Sequence, residues 1–211
     1  MDNLIKKLGL TRRSKFLDED IYKELDKIIK ESLFDEIYQE RPEHYKHVFK
    51  SSSDRLNTDS DSYQARFDLA NNKRTNELIK DKIFPYFVSA LKSFNSDLKY
   101  FMIPSLVRLK AGSFYRMHVD DYAGQSGYTY FFNEGWKWDY GGILTYAEPD
   151  GSNSYPIFPE NNMMLLRDES IKAFHYVTQQ TEYAMKSQYL LLGWASVTQI
   201  KDSKIRNYLK I

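Results

Sequence analysis

Eight short runs rich in β-branched and aromatic residues fill the second half of the sequence, and they constrain the fold more than any other feature. The runs span residues 100–110, 113–120, 127–133, 142–147, 155–158, 162–167, 172–177 and 185–198. Turn-forming residues separate them, including Ala111-Gly112, Gly141-Gly142 and Pro149-Asp150-Gly151. Short strands at this spacing predict a β-barrel or β-sandwich. Aromatic residues make up 16% of the chain, which suits the broad pleated surfaces of such a sheet.

The first half of the sequence predicts helices. From Asp18 to about Tyr38, apolar residues recur at three- and four-residue steps, which predicts an amphipathic helix. A second helix is predicted from about Asn72 to Phe94, with Pro85 marking a kink or a break. The polar, turn-rich residues at about 39–70 predict a loop between the helices. Helices followed by strands indicate an α+β fold in which the helices buttress one face of the β-structure.

The length of the chain favours a single domain spanning 1–211. One hydrophobic core remains practical up to roughly 250 residues, and the chain has 211. Within that domain we expect mainly helical support from residues 1–99, the β core from residues 100–198 and a C-terminal tail from residues 199–211.

The composition excludes several kinds of chemistry. Because cysteine is absent, any metal must be held by histidines and carboxylates, and disulfides and iron–sulfur clusters are ruled out. Lys and Arg number 30 against 29 Asp and Glu, so no overall field favours nucleic acid as a partner. The N-terminal sequence lacks the apolar core of a signal peptide, and no uncharged apolar run approaches the roughly 18 residues of a membrane span. We therefore expect a soluble, cytoplasmic protein with no membrane partner.

A candidate metal site begins with His118 and Asp120 in YRMHVDD. Residues two apart in a strand point to the same face, so both side chains can address one ion, and their chemistry suits iron(II), manganese or zinc. A third ligand must come from a neighbouring strand, and His175 in IKAFHYV is the candidate. Two histidines and one carboxylate leave open positions on the metal, as in non-haem iron oxygenases. His44 and His47 form a rival pair, but their polar surroundings favour solvated surface histidines.

Four ordered blocks of the sequence resemble the prolyl-hydroxylase type of iron(II)- and 2-oxoglutarate-dependent dioxygenases. YRMHVD resembles the YxxHxD motif of that family, and YFFNEGWKWDYGGILTY resembles its block of aromatic-Asn, Trp, Gly-Gly and Leu. PENNMMLLRDESIKAFHYV is similar to the Pro-led strand and hairpin before the distal histidine, and LLLGWAS is similar to the last strand, which ends in Trp. The resemblance covers roughly residues 100–198.

The resemblance implies a double-stranded β-helix, a jelly-roll barrel with iron(II) held at its mouth by His118, Asp120 and His175. It also implies 2-oxoglutarate and dioxygen as cosubstrates of a C–H hydroxylation, in which the protein supplies geometry and excludes water. Asp120 favours hydroxylation, because related halogenases lack this carboxylate and bind halide in its place.

The residues that would bind 2-oxoglutarate depart from the family pattern. The family anchors the distal carboxylate with Arg or Lys six residues before the last-strand Trp, and that position is Gln188 here. Counting forward from the distal histidine reaches Lys186 instead. We expect Lys186 to carry the charge with Gln188 as a second donor, because a neutral amide alone is a weak partner for a carboxylate. Lys110 is either a replacement cation or a solvated edge lysine, and Tyr115 matches the family tyrosine that can hydrogen-bond the oxo acid.

Trp136, Arg116 and Arg167 are candidate substrate contacts. Trp136 flanks a predicted loop near the barrel mouth, where it could stack on a substrate or pack the hairpin, and the two arginines could recognise an acidic group. The expected activity is hydroxylation of an unactivated C–H bond, with a prolyl residue of a protein or peptide as the first substrate. The alternatives are a free amino acid or small metabolite, and a metal-binding barrel that does not turn over 2-oxoglutarate.

Overall fold

The structure, a computed structural model, describes residues 7–41, 63–118, 120, 126–147, 153–171, 173–199 and 208–211. The α-helices are α1 (Glu19–Glu31), α2 (Lys73–Leu78) and α3 (Phe84–Phe94), and a π-helical turn (Ile79–Ile83) joins α2 to α3. The strands are β1 (Leu10–Ser14), β2 (Phe34–Arg41), β3 (Tyr63–Ala70), β4 (Tyr100–Met102), β5 (Ser105–Leu109), β6 (Phe114–His118), β7 (Ser126–Phe132), β8 (Leu144–Ala147), β9 (Ser154–Ile157), β10 (Met163–Asp168), β11 (Phe174–Val177), β12 (Gln188–Ser196) and β13 (Tyr208–Lys210). None of the helices in these ranges is long and apolar enough to cross a membrane.

The strands form two antiparallel layers. One layer has the order β1-β10-β7-β12-β5 and the other the order β6-β11-β8-β9, and β3 joins them by pairing with both β5 and β6. From β5 to β12 the chain alternates between the layers, except at the hairpin β8–β9. This alternation is the double-stranded β-helix, so the predicted fold class is confirmed. Each of the eight predicted runs overlaps at least one strand.

Strand β10 shows why the layers and helices pack as they do. Met163 and Leu165 face the barrel interior, whereas Met164 and Leu166 face the helices, and all four side chains are fully buried. Alternate residues of a strand point to opposite faces, so a strand that is apolar at every position must be covered on both sides. The helices therefore buttress the β10-β7-β12-β5 layer, as predicted.

Helix α3 provides the largest apolar contact with that layer. Phe87 is fully buried, and its ring stacks on Tyr128 at 5.1 Å between centroids and meets the edge of Tyr130 at 5.8 Å. Burying one such side chain contributes roughly 1.5–3 kcal/mol. Pro85 lies in the first turn of α3, where its missing N–H costs no helical hydrogen bond, and the π-helical turn before it interrupts the predicted helix.

The prediction of a helix from Asp18 to about Tyr38 is wrong at its C-terminal end. The helix ends at Glu31, and Ser32 is extended, with φ −79° and ψ 140°. Phe34 to Arg41 then form β2 and pair with β3. Leu33 and Ile37 continued the helical spacing by coincidence, because cross-strand pairing decides the backbone there.

The predicted loop at about 39–70 is wrong at both ends. Residues 39–41 belong to β2, and residues 63–70 form β3. Residues 42–62, which include His44 and His47, lie outside the described ranges. Ala65 and Phe67 face the barrel interior, and Arg66 between them faces outward. This alternation of apolar and polar residues was too short to predict a strand within a polar segment. The predicted tail at 199–211 also contains β13, which pairs with β4.

Candidate metal centre and active site

An irregular pairing of β6 with β11 sets the direction of the first histidine. His118 pairs with His175 and Tyr115 pairs with Val177, so three steps along β6 match two steps along β11. The extra residue is a β-bulge, which re-aims the side chains on either side of it. Tyr115 packs with the interior cluster and Met117 with the outer residues Ala147 and Phe174. The bulge therefore lets Tyr115 and His118 face the interior together, with their rings 6.5 Å apart.

The three predicted metal ligands lie together at one end of this interior. Asp120 follows the end of β6, and its Oδ1 lies 3.5 Å from Nε2 of His118 and its Oδ2 3.4 Å from Nε2 of His175. The two imidazole rings are 4.2 Å apart, and the ligand atoms of all three residues lie within 4.8 Å of one another. Three donors at this separation can reach one ion.

Backbone carbonyls orient both imidazoles. Nδ1 of His118 lies 2.7 Å from the carbonyl oxygen of Arg116, and Nδ1 of His175 lies 3.3 Å from that of Ala173. A nitrogen that donates to a carbonyl must carry the proton, which leaves Nε2 as the lone-pair atom. Each ring therefore presents a metal-binding nitrogen toward Asp120.

Burial and neighbouring charges hold the groups in the protonation states a metal requires. The pKa of His175 is lowered to about 4, mainly by burial and to a smaller extent by the nearby His118. Burial alone would raise the pKa of Asp120, but the neighbouring His175, His118 and Arg167 side chains together hold it well below its usual value. A neutral imidazole and an ionised carboxylate follow at neutral pH.

Arg167 completes the cluster from β10. Its Nη1 lies 3.1 Å from Nε2 of His175, and its Nη2 donates to Oδ2 of Asp120 at 3.0 Å and forms an ion pair with Glu169 at 2.8 Å. The guanidinium also lies 6.0 Å from the ring centroid of Tyr146, which stacks on His175 at 5.3 Å. Space for this pair depends on Gly127, because a Cβ there would lie 2.3 Å from Glu169 Oε1 and 2.7 Å from Arg167 Nη2.

The donor set fits a divalent transition metal. Two imidazole nitrogens and one carboxylate match the facial triad of non-haem iron(II) sites, and an all-oxygen set for magnesium or calcium is not what converges here. The residues that would hold iron are therefore His118, Asp120 and His175.

A second polar position in the barrel interior suits the oxo acid. Gln188 is fully buried on β12, and within the described residues neither atom of its amide has a hydrogen-bond partner. Its side chain lies against Gly142, where a Cβ would come within 2.9 Å of Oε1. Buried polar atoms are rarely left unpaired, so this amide fits a bound polar group.

The two lysines predicted to carry the charge have other contacts in this structure. Lys186 is exposed on the segment before β12, and its Nζ donates to the backbone oxygen of Glu134. Lys110 forms ion pairs with Glu36 at 2.8 Å and Asp68 at 3.2 Å, in a charged group on the outer face of β3 and β5. Their role in binding an oxo acid stays a prediction.

The predicted substrate contacts are separated. Trp136 is buried against Tyr140 and Ile143, and its Nε1 donates to the carbonyl of Gly141 at 3.0 Å, so it packs the hairpin. Arg116 is exposed and lines an open groove of about 410 Å³ beside the bulge. Arg167 lies inside the cluster described above. The contributions of Tyr146 and Glu169 were missed, although Glu169 follows Arg167 at the strand spacing of two.

No protein-family model and no curated protein matches the sequence. Among solved structures, the chain is similar to a prolyl-4-hydroxylase from Pseudomonas putida, with a TM-score of 0.55 and 15% identity over 92% of this chain and 95% of that one. It is similar to a prolyl hydroxylase from Trichoplax adhaerens in complex with a hypoxia-inducible-factor peptide, with a TM-score of 0.59 and 15% identity over 92% and 86% of the chains. It is also similar to an oxidoreductase of the 2OG-Fe(II) oxygenase family from Burkholderia pseudomallei, with a TM-score of 0.59 and 12% identity over 93% of this chain and 89% of that one.

The comparisons agree with the fold that the strand order defines. The chain has the double-stranded β-helix fold of 2-oxoglutarate- and iron(II)-dependent oxygenases. Two of these three neighbours are prolyl hydroxylases, so the fold is also prolyl-hydroxylase-like.

Proposed function

We propose that this protein is an iron(II)- and 2-oxoglutarate-dependent dioxygenase that hydroxylates an unactivated C–H bond. One observation carries the proposal: Nε2 of His118, Nε2 of His175 and the Asp120 carboxylate converge within 4.8 Å at the end of a double-stranded β-helix. A facial set of this kind leaves several metal positions open for an oxo acid and dioxygen. Bound iron, with these two cosubstrates, would supply the oxidising chemistry.

The chain's own residues would supply geometry and exclude water. The carbonyls of Arg116 and Ala173 fix the histidine rings, and Arg167 holds one oxygen of Asp120. Below the triad the interior is lined by apolar residues, among them Val107, Leu144, Leu165 and Leu190. Such walls keep bulk water from a reactive centre.

A prolyl residue in a protein or peptide is the first substrate we propose. The Trichoplax adhaerens neighbour was solved with a peptide, which supports a peptide as the class of substrate. The groove beside β6 and β11 is open, and its lining includes Tyr115, Met117 and Val177, so it could accept an extended apolar segment. A free amino acid or small metabolite is the alternative within the same chemistry.

The first test is metal binding. We expect His175→Ala and Asp120→Ala to weaken Mn(II) binding by more than the roughly 10- to 100-fold that loss of an outer-shell partner costs. Calorimetric titration without oxygen measures this, and Asp97→Ala is the matched control because it removes an exposed carboxylate that is not part of the cluster. Equal affinities in all four proteins would refute the metal centre.

The second test is turnover. With iron(II), 2-oxoglutarate and air, the protein should form succinate and add one oxygen atom to a proline-containing peptide, detected by mass spectrometry. Oxygen transfer to a free amino acid instead would select the small-molecule alternative. Binding of Mn(II) without any binding of 2-oxoglutarate would support the third alternative, a metal-binding barrel that does not turn over 2-oxoglutarate. The neutral side chain of Gln188 would be consistent with that result.

A further inference from the structure

Arg167 is the one lysine or arginine that is buried in the part of the chain described by the structure. Its exposure is 7%, and it extends the interior face of β10 beyond Met163 and Leu165. A buried guanidinium needs a specific partner, because removing a charge from water costs several kcal/mol. Glu169 is one partner, but the remaining hydrogen bonds of Arg167 point at the metal-binding atoms.

The position of the guanidinium is unusual because it contacts the same histidine and carboxylate atoms that would bind the metal. Nη1 approaches the lone-pair nitrogen of His175, and Nη2 approaches Oδ2 of Asp120. An ion bound at those two atoms would lie beside the guanidinium. Any carboxylate coordinated to that ion would then be within reach of Arg167, whose planar fork matches carboxylate geometry.

Charge balance also favours a metal-bound carboxylate beside Arg167. Asp120, Glu169 and Arg167 together carry one net negative charge, so a divalent ion leaves the cluster with one net positive charge. An oxo acid with two carboxylates reverses that sign, and without Arg167 the excess negative charge would be larger by one. Gln188 offers only a neutral amide at the far end of the barrel.

We propose that Arg167 binds the metal-side carboxylate of the oxo acid, the one next to the keto group. This inference rests on the proposed function and identifies a specificity-determining residue for it. It has a consequence for selectivity: because the cation lies at the metal end and Gln188 is neutral, a 2-oxo acid without a distal carboxylate should bind nearly as well as 2-oxoglutarate. Binding would depend on the end of the molecule that both compounds share.

The test compares 2-oxoglutarate with 2-oxobutyrate on the Mn(II)-loaded protein, in which no turnover occurs. Calorimetry gives the dissociation constant of each oxo acid, and the Mn(II) dissociation constant is measured separately for every variant. We expect Arg167→Gln to weaken both oxo acids by a similar factor, roughly 10- to 100-fold, which is what loss of a charge-assisted hydrogen bond costs. Arg167 also holds Oδ2 of Asp120, so the variant is compared with wild type at saturating Mn(II), as fixed by the Mn(II) dissociation constant of each protein.

Two further variants keep the test decisive. Arg167→Gln alone leaves Glu169 without its cation, so the double variant Arg167→Gln/Glu169→Gln removes both charges and should show the same loss. Arg13→Gln is the matched control, because it neutralises a partly buried arginine on the adjacent strand β1 that hydrogen-bonds Ser93 of α3, and it should behave as wild type.

The possible results separate the two proposals. If the wild-type protein binds Mn(II) but neither oxo acid, the proposed function fails, and the role of Arg167 fails with it. If the wild type binds both compounds and the Arg167 variants bind them equally well, only the present inference is overturned. A loss confined to 2-oxoglutarate, or one produced by Lys186→Gln and not by Arg167→Gln, would also overturn it.

Discussion

At the scale of single residues, the site depends on polar groups whose partners are incomplete or unusual. Gln188 and Gln180 make the contrast plain, since both are fully buried glutamines in the same barrel. Nε2 of Gln180 donates to the backbone oxygen of Lys186 at 3.0 Å, whereas the amide of Gln188 has no partner among the described residues. A buried amide without a partner lowers stability, so its presence suggests a function that compensates.

This contrast predicts stability changes of opposite sign. Gln188→Met removes an unpaired amide and should raise the free energy of unfolding by about 1 kcal/mol, whereas Gln180→Met breaks a hydrogen bond and should lower it by about 1–2 kcal/mol. Urea denaturation measures both. Gln188→Met should weaken 2-oxoglutarate binding only slightly, because the cation proposed to hold the oxo acid lies at the metal end. A Gln188→Met protein less stable than wild type would show that this amide is already satisfied.

Much of the residue scale was accessible from the sequence, and the exceptions have physical causes. His118, Asp120 and His175 were selected by spacing and by family resemblance, and the structure brings them together. Arg167 was proposed only as a contact to an acidic substrate. Its place among the ligands follows from the register of β10 with β7, which puts it opposite Gly127, and a single sequence does not reveal that pairing.

At the scale of elements, the Gly-Gly pair before β8 controls how the barrel packs at the Gln188 end. Gly141 has φ 68° and ψ −152°, a conformation essentially restricted to glycine, and a Cβ there would lie 2.1 Å from the backbone oxygen of Gln179. Gly142 has φ 65° and leaves room for Gln188. The family motif therefore has a steric reason in this chain.

Gly141→Ala should consequently destabilise the protein more than Gly112→Ala. Both positions have positive φ, which costs an alanine about 1–3 kcal/mol, but a Cβ on Gly112 meets only the end of Arg66 at 3.7 Å. The clash with Gln179 should add to the cost at Gly141 alone. Thermal unfolding of the two variants measures the difference, and equal losses would mean that the backbone at Gln179 moves aside freely.

Boundaries were the weakest part of the prediction at this scale. The strands from β4 to β12 were predicted because each is a short run of β-branched and aromatic residues bounded by turn-forming residues. The hairpin β2–β3 was not, because polar residues dominate it and its strands are stabilised by pairing with each other and with the barrel. The composition of a short segment does not show which distant strands it will pair with.

At the scale of the whole molecule, β3 closes the barrel by pairing with β5 of one layer and β6 of the other. Asp68 secures this closure: it is 1% exposed, accepts two hydrogen bonds from Arg108 at 2.6 and 2.8 Å, and pairs with Lys110. Closure therefore depends on a charged contact as well as on backbone pairing.

Asp68→Ala should lower the free energy of unfolding by about 2–3 kcal/mol, because it removes buried charge-assisted hydrogen bonds and leaves two cations facing each other. Denaturant titration measures the loss. Glu36→Ala removes an exposed partner of Lys110 on the neighbouring strand and should change stability little. Comparable losses in the two variants would remove the special role assigned to Asp68.

The bulge in β6 makes the metal site depend on how β6 pairs with β11 as well as on the identity of its residues. Because three steps of β6 match two of β11, Tyr115 and His118 face the same side although an odd number of steps separates them, and regular pairing over the same three steps would turn His118 toward the outer wall. Every ligand would remain in the sequence, and the barrel could still close. A substitution that abolishes the bulge would thus remove the metal site without removing any ligand, so a homologue that retains all three ligands should not be assumed to bind iron unless the pairing at its first histidine is also kept.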